Sequence, residues 1–520
     1  MKVALISPGT IRGRNNYWSY EEICNFFGND AFIMYWLAPP TIAGLSVPDV
    51  EIRIVDENLA PIDFDMDVDL VGISTITFTA KRAYEIADKF RQRGVKVVMG
   101  GIHPTVMPEE ALEHANSIVM GEAENVWPRL LEDFKNNRLE KIYRSEDKPN
   151  LAEVPKARYD LLNHERYLVH IVNTTRGCPF NCEFCTVYAF FGKGMRHKPV
   201  SKVVEEIKQL PRGIQFRRFW LSNVEKTIVF ADDNICGNAR YAKELFRALI
   251  PLNIENWWGQ ASITIARDRE LLDLMSQSGC GTVFIGLESV NPESLKVIDK
   301  RVNRVEEYKE AIKTIHSHGI RVQGSFILGN DTDDVEDFRK LVDFIDETNI
   351  FTSQITVSTP FPGTKLYKRL EDEGRLLHKD WNKYDIQTAV FKPKNMTTEE
   401  LQNGFNWVVQ QIYSFPAAYK RMTALWNTSH FLKQSKKIPF YQRLFYSIYS
   451  IRYLWTKDLA QIKFILKTIP LTFKKKADFV WMLHAINWHH FAYSFPKGID
   501  PVIYREKIRG QKIGSGSATP

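Results

Sequence analysis

Cysteine is scarce in this chain: six residues in 520 are too few for a disulfide scaffold. Long apolar runs are missing too. No stretch of about eighteen or more uncharged apolar residues is present, so the sequence carries no signal for a membrane-spanning helix. The opening MKVALISPG enters a strand-like run without the cleavage region of a secretory signal, and a cytosolic chain is therefore expected. Neither a Ser-His-Asp set nor carboxylates at a catalytic spacing can be found, which withdraws the usual support for hydrolytic acid–base chemistry. What is present is globular: 44% hydrophobic, 12% aromatic and 25% charged residues exclude disorder as the main state. The length calls for two or three packed units.

Residues 1–145 alternate strand and helix signals. Val3-Ala4-Leu5-Ile6 and Leu70-Val71-Gly72-Ile73 are short apolar runs of the kind that strands buried on both faces require. Ala83, Ile86, Ala87 and Phe90 fall at helical spacing, Gly94 supplies a stop, and 95–99 is apolar again. This βαβ rhythm predicts an open, doubly wound Rossmann-like sheet, which binds ligands beyond the carboxyl ends of its strands. Four polar features lie at those ends: Asp56-Glu57-Asn58, Ser74-Thr75-Ile76-Thr77, Gly100-Gly101-Ile102-His103 and Gly121-Glu122-Ala123-Glu124. Paired glycines let a ligand approach the backbone, and short hydroxyls hydrogen-bond phosphate or amide groups. Each feature alone reads as turn chemistry; together they point to a large polar ligand.

Residues 146–395 repeat helix, glycine, strand, and sustained alternation of this kind predicts an α/β barrel or part of one. Active groups then belong on the loops that follow its strands. From 396 to 513 the rhythm gives way to helical, aromatic and basic sequence. Residues 433–476 hold eleven Lys and Arg against Asp458 alone, a local +10 in a chain of net charge +7, which leaves the remainder at −3. Phe445, Tyr446, Tyr449, Tyr453 and Trp455 are interleaved with these charges. Such a region lies on an anionic membrane surface, binds nucleic acid, or packs as a lid, and composition does not choose among them. Trp481, His484, Trp488, His489 and His490 follow, and none is given a ligand role. The tail 514–520 reads as a linker or an appended remnant and is left out of the fold.

The sharpest signal is Arg176-Gly177-Cys178-Pro179-Phe180-Asn181-Cys182-Glu183-Phe184-Cys185, placed just after the strand-like run 168–172. Structural zinc takes four protein ligands, and no fourth cysteine or nearby histidine completes a tetrahedral set. Three thiolates hold a four-iron cluster by three of its irons and leave the last open for a substrate or cofactor. Zinc, or cysteines that simply pack, are the plain alternatives. Cys24, Cys236 and Cys280 read as reduced packing residues.

With this cysteine spacing and the aromatic Phe184 before its last member, the sequence resembles the radical S-adenosylmethionine (SAM) enzymes. The resemblance implies that Cys178, Cys182 and Cys185 hold a 4Fe-4S cluster whose open iron chelates SAM, and that reductive cleavage of SAM yields methionine and a 5'-deoxyadenosyl radical. Phe230-Ala231-Asp232-Asp233-Asn234, Gly286-Leu287-Glu288-Ser289, residues 324–329 and Thr359-Pro360-Phe361-Pro362-Gly363-Thr364 follow in the order of that family's partial (βα)6 barrel. By the same resemblance, Asp232 and Asp233 occupy the place of contact with the SAM amino group, and Glu288 and Ser289 that of contact with its ribose or methionine part. The plainer reading has Asp232 and Asn234 capping a helix and Ser289 opening the next.

The first region is similar to the cobalamin-binding domain that precedes the barrel in one large subgroup. This rests on Asp56-Glu57, on Ser74, Thr75 and Thr77, on Gly100-Gly101-Ile102-His103-Pro104, and on Gly121-Glu122. The DxHxxG element that supplies a lower-face histidine in better-known cobalamin enzymes is absent, and His103, preceded by Gly-Gly-Ile, does not replace it. Many members of the subgroup lack that histidine and bind cobalamin without a protein imidazole.

Cobalamin beside a radical generator implies methylation of an unactivated carbon, with one SAM cleaved and another remethylating the cobalamin. A cobalamin-containing cyclase, oxidase or rearrangement enzyme without methyl transfer is the alternative. A third reading, from another class, is a non-catalytic cobalamin or redox sensor whose basic region binds nucleic acid. The enzyme reading implies an external electron donor such as flavodoxin or ferredoxin, and no nucleic acid. The aromatic, basic third region points to a hydrophobic substrate such as a lipid, isoprenoid or tetrapyrrole, and to peripheral contact with a membrane surface.

Overall fold

Val3, Ala4, Leu5 and Ile6 are all buried in strand β1 (Lys2–Ser7), as an apolar run covered on both faces demands. In the computed structural model, β1 lies inside a six-stranded parallel sheet with β2 (Glu51–Asp56), β3 (Leu70–Ser74), β4 (Lys96–Gly100), β5 (Ser117–Met120) and β6 (Ile142–Arg144), in the order β2-β1-β3-β4-β5-β6. The structure describes residues 1–9, 34–47, 49–211, 213–214, 224–225, 227–350, 352–427, 459–473, 485–486, 489–490 and 492–506. Cys24, Phe445, Tyr446, Tyr449, Tyr453, Trp455, Asp458, Lys474, Lys475, Lys476, Trp481, His484 and Trp488 lie outside these residues.

The described chain forms two compact units, one of residues 1–260, 277–279 and 359–385, the other of 261–276, 280–358 and 386–520. In the first, helix α1 (Ala38–Gly44) contributes Ala43 to a cluster with Val3, Leu5, Leu70, Val98 and Val119, which also takes up Trp127, Leu130 and Leu131 of α3 (Trp127–Lys135). Helix α2 (Ala80–Gln92) buries Ala83, Ile86, Ala87 and Phe90, the stripe expected from their spacing, as it packs along β3 and β4. It stops at Gly94, whose φ of 83° suits a residue without a Cβ. This is the doubly wound α/β sheet expected from the sequence. Its strand order reverses between β1 and β3, and the crevice beyond their carboxyl ends is where such sheets take ligands.

The same unit carries the parallel ladder β7 (Val169–Val172), β8 (Thr227–Phe230) and β9 (Trp257–Ala261), with β8 in the middle. The second unit carries β10 (Cys280–Glu288), β11 (Arg321–Leu328) and β12 (Thr352–Val357), also parallel, with β11 in the middle. Helices fill the intervals, as the βα rhythm predicts. Cys280 is buried and Cys236 half-buried.

The helical character expected after residue 396 holds for the described part. Helix α6 (Thr398–Ile412) starts at a capping box: the Thr397 hydroxyl accepts from the Glu400 amide at 3.0 Å, and the Glu400 carboxylate accepts from the Thr397 amide at 2.7 Å. It packs on α5 (Val335–Thr348). Helices α7 (Phe415–Asn427) and α8 (Leu459–Phe473) pack together, and buried Arg421 of α7 pairs with Asp346 of α5 at 2.6 Å. His489 stacks on Phe415 with ring centres 3.7 Å apart, and His490 bonds Gln461 at 2.7 Å, so both engage the protein itself. No helix among the described residues is long and apolar enough to cross a membrane.

Phe90 has no exposed surface, and Phe90→Ala is expected to destabilise the first unit by roughly 3–5 kcal/mol. Denaturant unfolding followed by circular dichroism checks this, and an unmoved transition contradicts the packing described.

Candidate functional site

Beyond the end of β7 the chain runs through Asn173 and Thr174 into a two-residue ribbon, where Thr175 pairs with His197 and Arg176 with Arg196. The ribbon closes the loop that bears the cysteines. At its neck Gly177 has φ 88°, and a Cβ there would strike the carbonyl oxygen of Gly194, so only glycine lets the two ends of the loop approach this closely. Cys182 is buried, Cys178 and Cys185 are half-buried, and the Cys185 amide donates to the Cys182 carbonyl at 3.2 Å. Helix α4 (Thr186–Phe191) follows at once.

The far side of the loop is held by the segment after β12. Thr364 caps helix Lys365–Asp372, the Leu366 amide donates to the Glu183 carbonyl at 3.1 Å, and the Arg369 guanidinium forks onto the Glu183 carboxylate at 2.6 and 3.1 Å. The motif Thr359-Pro360-Phe361-Pro362-Gly363-Thr364 thus supports the cysteine loop. Gly363, with φ 82°, packs where a Cβ would lie 2.5 Å from Val106.

The donor set is three thiols on one short loop, one buried and two partly open. Among the described residues no three His, Cys, Asp or Glu side chains converge as a single-ion site requires. A four-iron cluster needs no such convergence, since it takes its thiolates one per iron. The donor chemistry fits a cluster.

Two carboxylates at the end of β8 organise the approach to this loop. Asp232 is fully buried; one of its oxygens accepts from the Thr174 amide at 2.7 Å, the Thr175 amide at 3.1 Å and the Asn173 side-chain amide at 3.1 Å, and the other accepts from the Thr174 hydroxyl. Burial pushes its carboxyl above the ordinary range, while these donors pull the other way. Asp233 accepts from the Gly177 amide at 2.9 Å, and burial pushes it up to about 6. Asp232 therefore faces the backbone ahead of the cysteines, and Asp233 faces both that backbone and an open cavity.

That cavity, about 290 Å³, lies at the carboxyl ends of β1, β3, β4 and β5, at the lower end of the range of ligand pockets. Ser74, Gly100, Gly101, Gly121 and Glu122 line it, and so do Asn173, Arg176 and Asp233 of the cysteine loop and its supports. Leu37, Pro39, Trp127, Phe190 and Phe191 supply apolar walls. Gly101, with φ 100°, would place a Cβ 2.5 Å from the Thr75 carbonyl oxygen, whereas a Cβ on Gly121 would meet no protein atom within 4 Å. Bare backbone at Gly121, on a cavity that reaches the switch point between β1 and β3, suits close approach by a large polar ligand such as cobalamin.

Thr75, Thr77 and His103 are buried behind this edge rather than in the lining. The Thr75 hydroxyl bonds that of Thr79 at 2.9 Å. His103 has no exposed surface; its Nε2 lies 3.0 Å from the Tyr84 hydroxyl and 3.5 Å from Glu110, and its Nδ1 lies 3.4 Å from the Thr77 hydroxyl. Asp56 accepts from Tyr167 at 2.9 Å, and Glu57 is forked by Arg82, so both serve the fold.

In the second unit, Glu288 ends β10 at φ 66°, in the left-handed region a residue with a Cβ avoids, beside an irregularity in the strand pairing between Gly286 and Glu288. Its carboxylate lies 3.2 Å from Lys300 Nζ, and the Leu287 carbonyl beside it accepts from Tyr308 at 2.7 Å. The Ser289 hydroxyl accepts from the Asn291 amide at 3.0 Å, and Asn291 caps helix Pro292–Val297. Further on, Asp333 accepts from the Gly329 and Asn330 amides at 3.0 and 2.8 Å, and burial pushes it up to about 7.

Arg196, Phe190 and Phe191 carry no recognisable role in the sequence, where Arg176 and Glu124 stand out only as neighbours of other residues. The available signal was position: Arg176 precedes Gly177-Cys178, and Glu124 follows Glu122 by two.

Comparison with known proteins gives the site its family. A B12 binding domain model matches residues 41–131, a Radical SAM superfamily model matches 172–345, and a domain of unknown function (DUF4070) matches 364–506. Bacteriochlorophyllide d C-12(1)-methyltransferase of Chlorobaculum tepidum is 32% identical over 389 residues, covering 73% of this chain and 83% of the relative. Anaerobic magnesium-protoporphyrin IX monomethyl ester cyclase of Cereibacter sphaeroides is 27% identical over 381 residues, 67% of this chain and 60% of the relative. The structure of the cobalamin-dependent SAM radical enzyme OxsB with aqua-cobalamin and SAM superposes with a TM-score of 0.60 at 15% identity, over 100% of this chain and 81% of that one, a likeness of fold. A radical SAM domain works with SAM and a 4Fe-4S cluster, and a B12 binding domain with cobalamin; this chain, which carries both, belongs to the cobalamin-dependent radical SAM enzymes.

Proposed function

We propose that this enzyme methylates an unactivated carbon of a hydrophobic small molecule, a lipid, isoprenoid or tetrapyrrole. The observation that carries the reading is the cavity at the sheet edge, on which Gly121 and Glu122 of the cobalamin-type domain meet Arg176 and Asp233 of the cysteine-loop region. In support of methyl transfer stands the 32% identity to a methyltransferase named for a bacteriochlorophyllide. Apolar walls at Leu37, Pro39, Phe190 and Phe191 suit a water-poor site for radical chemistry.

In this reading residues 1–145 hold cobalamin, 146–395 form the radical SAM domain and 396–513 the helical third region. Cys178, Cys182 and Cys185 hold the cluster by three of its irons. When bound, the cluster with SAM supplies hydrogen abstraction from carbon, and cobalamin supplies the methyl group. The residues position these groups and exclude water. Asp232 fixes the backbone leading into the cysteine loop, and Asp233 offers an acceptor to SAM. Ser74, Gly100, Gly101 and Gly121 border the cobalamin, while Glu122, Thr75, Thr77 and His103 support that border from behind. Electrons come from an external donor such as flavodoxin or ferredoxin, and the basic third region approaches an anionic membrane surface where an apolar substrate resides.

A second reading, radical cyclisation or oxidation without methyl transfer, is favoured by the 27% identity to a cyclase. Product analysis separates the two. Anaerobic reconstitution with iron, sulfide and cobalamin, followed by turnover on candidate substrates, is expected to yield 5'-deoxyadenosine together with S-adenosylhomocysteine. Turnover without coupled S-adenosylhomocysteine selects the second reading.

Replacing Cys178, Cys182 or Cys185 singly by Ala is expected to strip the chain of stoichiometric iron and reduce SAM cleavage to background. Full iron content in any of the three contradicts its assignment. Each lysine near an anionic surface contributes about 1 kcal/mol, so neutralising Lys474, Lys475 and Lys476 together is expected to lower binding to anionic vesicles on the order of a hundredfold. Unchanged co-sedimentation removes these residues from the surface role.

A further inference from the structure

Glu122 and Glu124 leave the end of β5 with side chains only 3% and 7% exposed. One Glu122 oxygen lies 2.6 Å from Arg176 Nη1, and the other lies 2.6 Å from Arg196 Nη2 and 4.0 Å from Lys148 Nζ. Glu124 takes the remaining terminal nitrogen of Arg176 at 2.5 Å. The two arginines face each other in the ribbon that closes the cysteine loop, one on each of its ends. On the other side, the Gly121 amide donates to the Thr105 hydroxyl at 2.9 Å, and that hydroxyl donates to the Gly101 carbonyl at 2.7 Å. Contacts therefore run unbroken from the glycine pair after β4, through the loop after β5, to both ends of the cysteine loop.

Buried ion pairs are a poor source of stability, because desolvation offsets most of the attraction. What they fix is geometry. Two carboxylates on one planar guanidinium set its orientation as a single carboxylate or a lysine does not. Glu122 also borders the cavity, but both of its oxygens are engaged by arginines. Its place in the molecule is that of a clamp between two elements.

We propose that Glu122 is a positioning residue that holds the cysteine loop in register with the cobalamin cavity through Arg176 and Arg196. The proposal rests on the reading above, in which that loop carries the cluster and that cavity the cobalamin. A radical made at one cofactor and a methyl group delivered from the other must meet at one carbon, and misplacement by about 1 Å carries a penalty of up to about a hundredfold in rate.

Glu122→Gln keeps the size of the side chain and removes its charge; Arg176→Lys keeps the charge and removes the fork. Both variants and the wild-type enzyme are reconstituted anaerobically with iron, sulfide and cobalamin, and both cofactors are counted. Dipolar broadening of the cob(II)alamin EPR signal by the reduced cluster then reports their separation without turnover. Wild-type cofactor content with changed broadening is expected in both variants. In the full assay, 5'-deoxyadenosine formed per methyl transferred should rise on the order of tenfold. Unchanged broadening in both overturns the proposal. Loss of cobalamin with iron retained in Glu122→Gln also overturns it, since Glu122 would then be a cofactor contact. If Glu122→Gln does not fold, Glu124→Gln, which removes one of the two carboxylates on Arg176, carries the same expectation at smaller size and the same overturning result. A wild-type enzyme that transfers no methyl group defeats the reading above yet leaves the EPR comparison able to decide, because it needs only the two bound cofactors.

Discussion

One fully buried carboxylate orders the centre of the first unit. Asp232 gathers the Thr174 and Thr175 amides, the Asn173 side chain and the Thr174 hydroxyl, so the turn from β7 into the cysteine ribbon has a single arrangement that satisfies them all. A carboxylate taken out of water needs such a set of donors, and an irregular stretch of backbone needs acceptors of this kind. Each solves the other's problem. The neighbouring Asp233 extends the hold to Gly177, and from there the loop's neck, its ribbon and its cavity edge are determined.

The parts of the fold that repeat along the chain were legible in the sequence. Burial on both faces leaves apolar runs such as 3–6 and 70–73, and the buried stripe Ala83, Ile86, Ala87 and Phe90 shows through as helical period, because each comes from a local rule. The cysteine spacing was legible for the same reason, as one short loop presents all three thiols. The cradle was not. Glu122 meets Arg176 and Arg196 across 54 and 74 residues, and no periodicity records a pairing at that distance. His103 stands in a polar turn after a strand, and nothing local records that tertiary packing buries it against Tyr84. The positive φ of Glu288 could not be anticipated, since a glutamate gives no hint of left-handed backbone.

A division of labour follows. Little in the described residues resembles acid–base machinery: the carboxylates that burial pushes up, Asp56, Asp232, Asp233 and Asp333, accept from backbone amides and so shape loops. The chemistry belongs to the cofactors, and the chain contributes orientation, apolar walls and exclusion of water. That explains why no hydrolytic residue set stands out in the sequence, while glycine and cysteine positions point to the site.

The support of the cysteine loop by Arg369 has a consequence for biogenesis. Glu183 lies among the cysteines, but its guanidinium partner is 186 residues further along the chain. On the ribosome, the thiols emerge long before the helix that braces them. The brace is thus completed only late in synthesis, and a nascent chain stalled between these two points presents the three thiols with an unfinished scaffold.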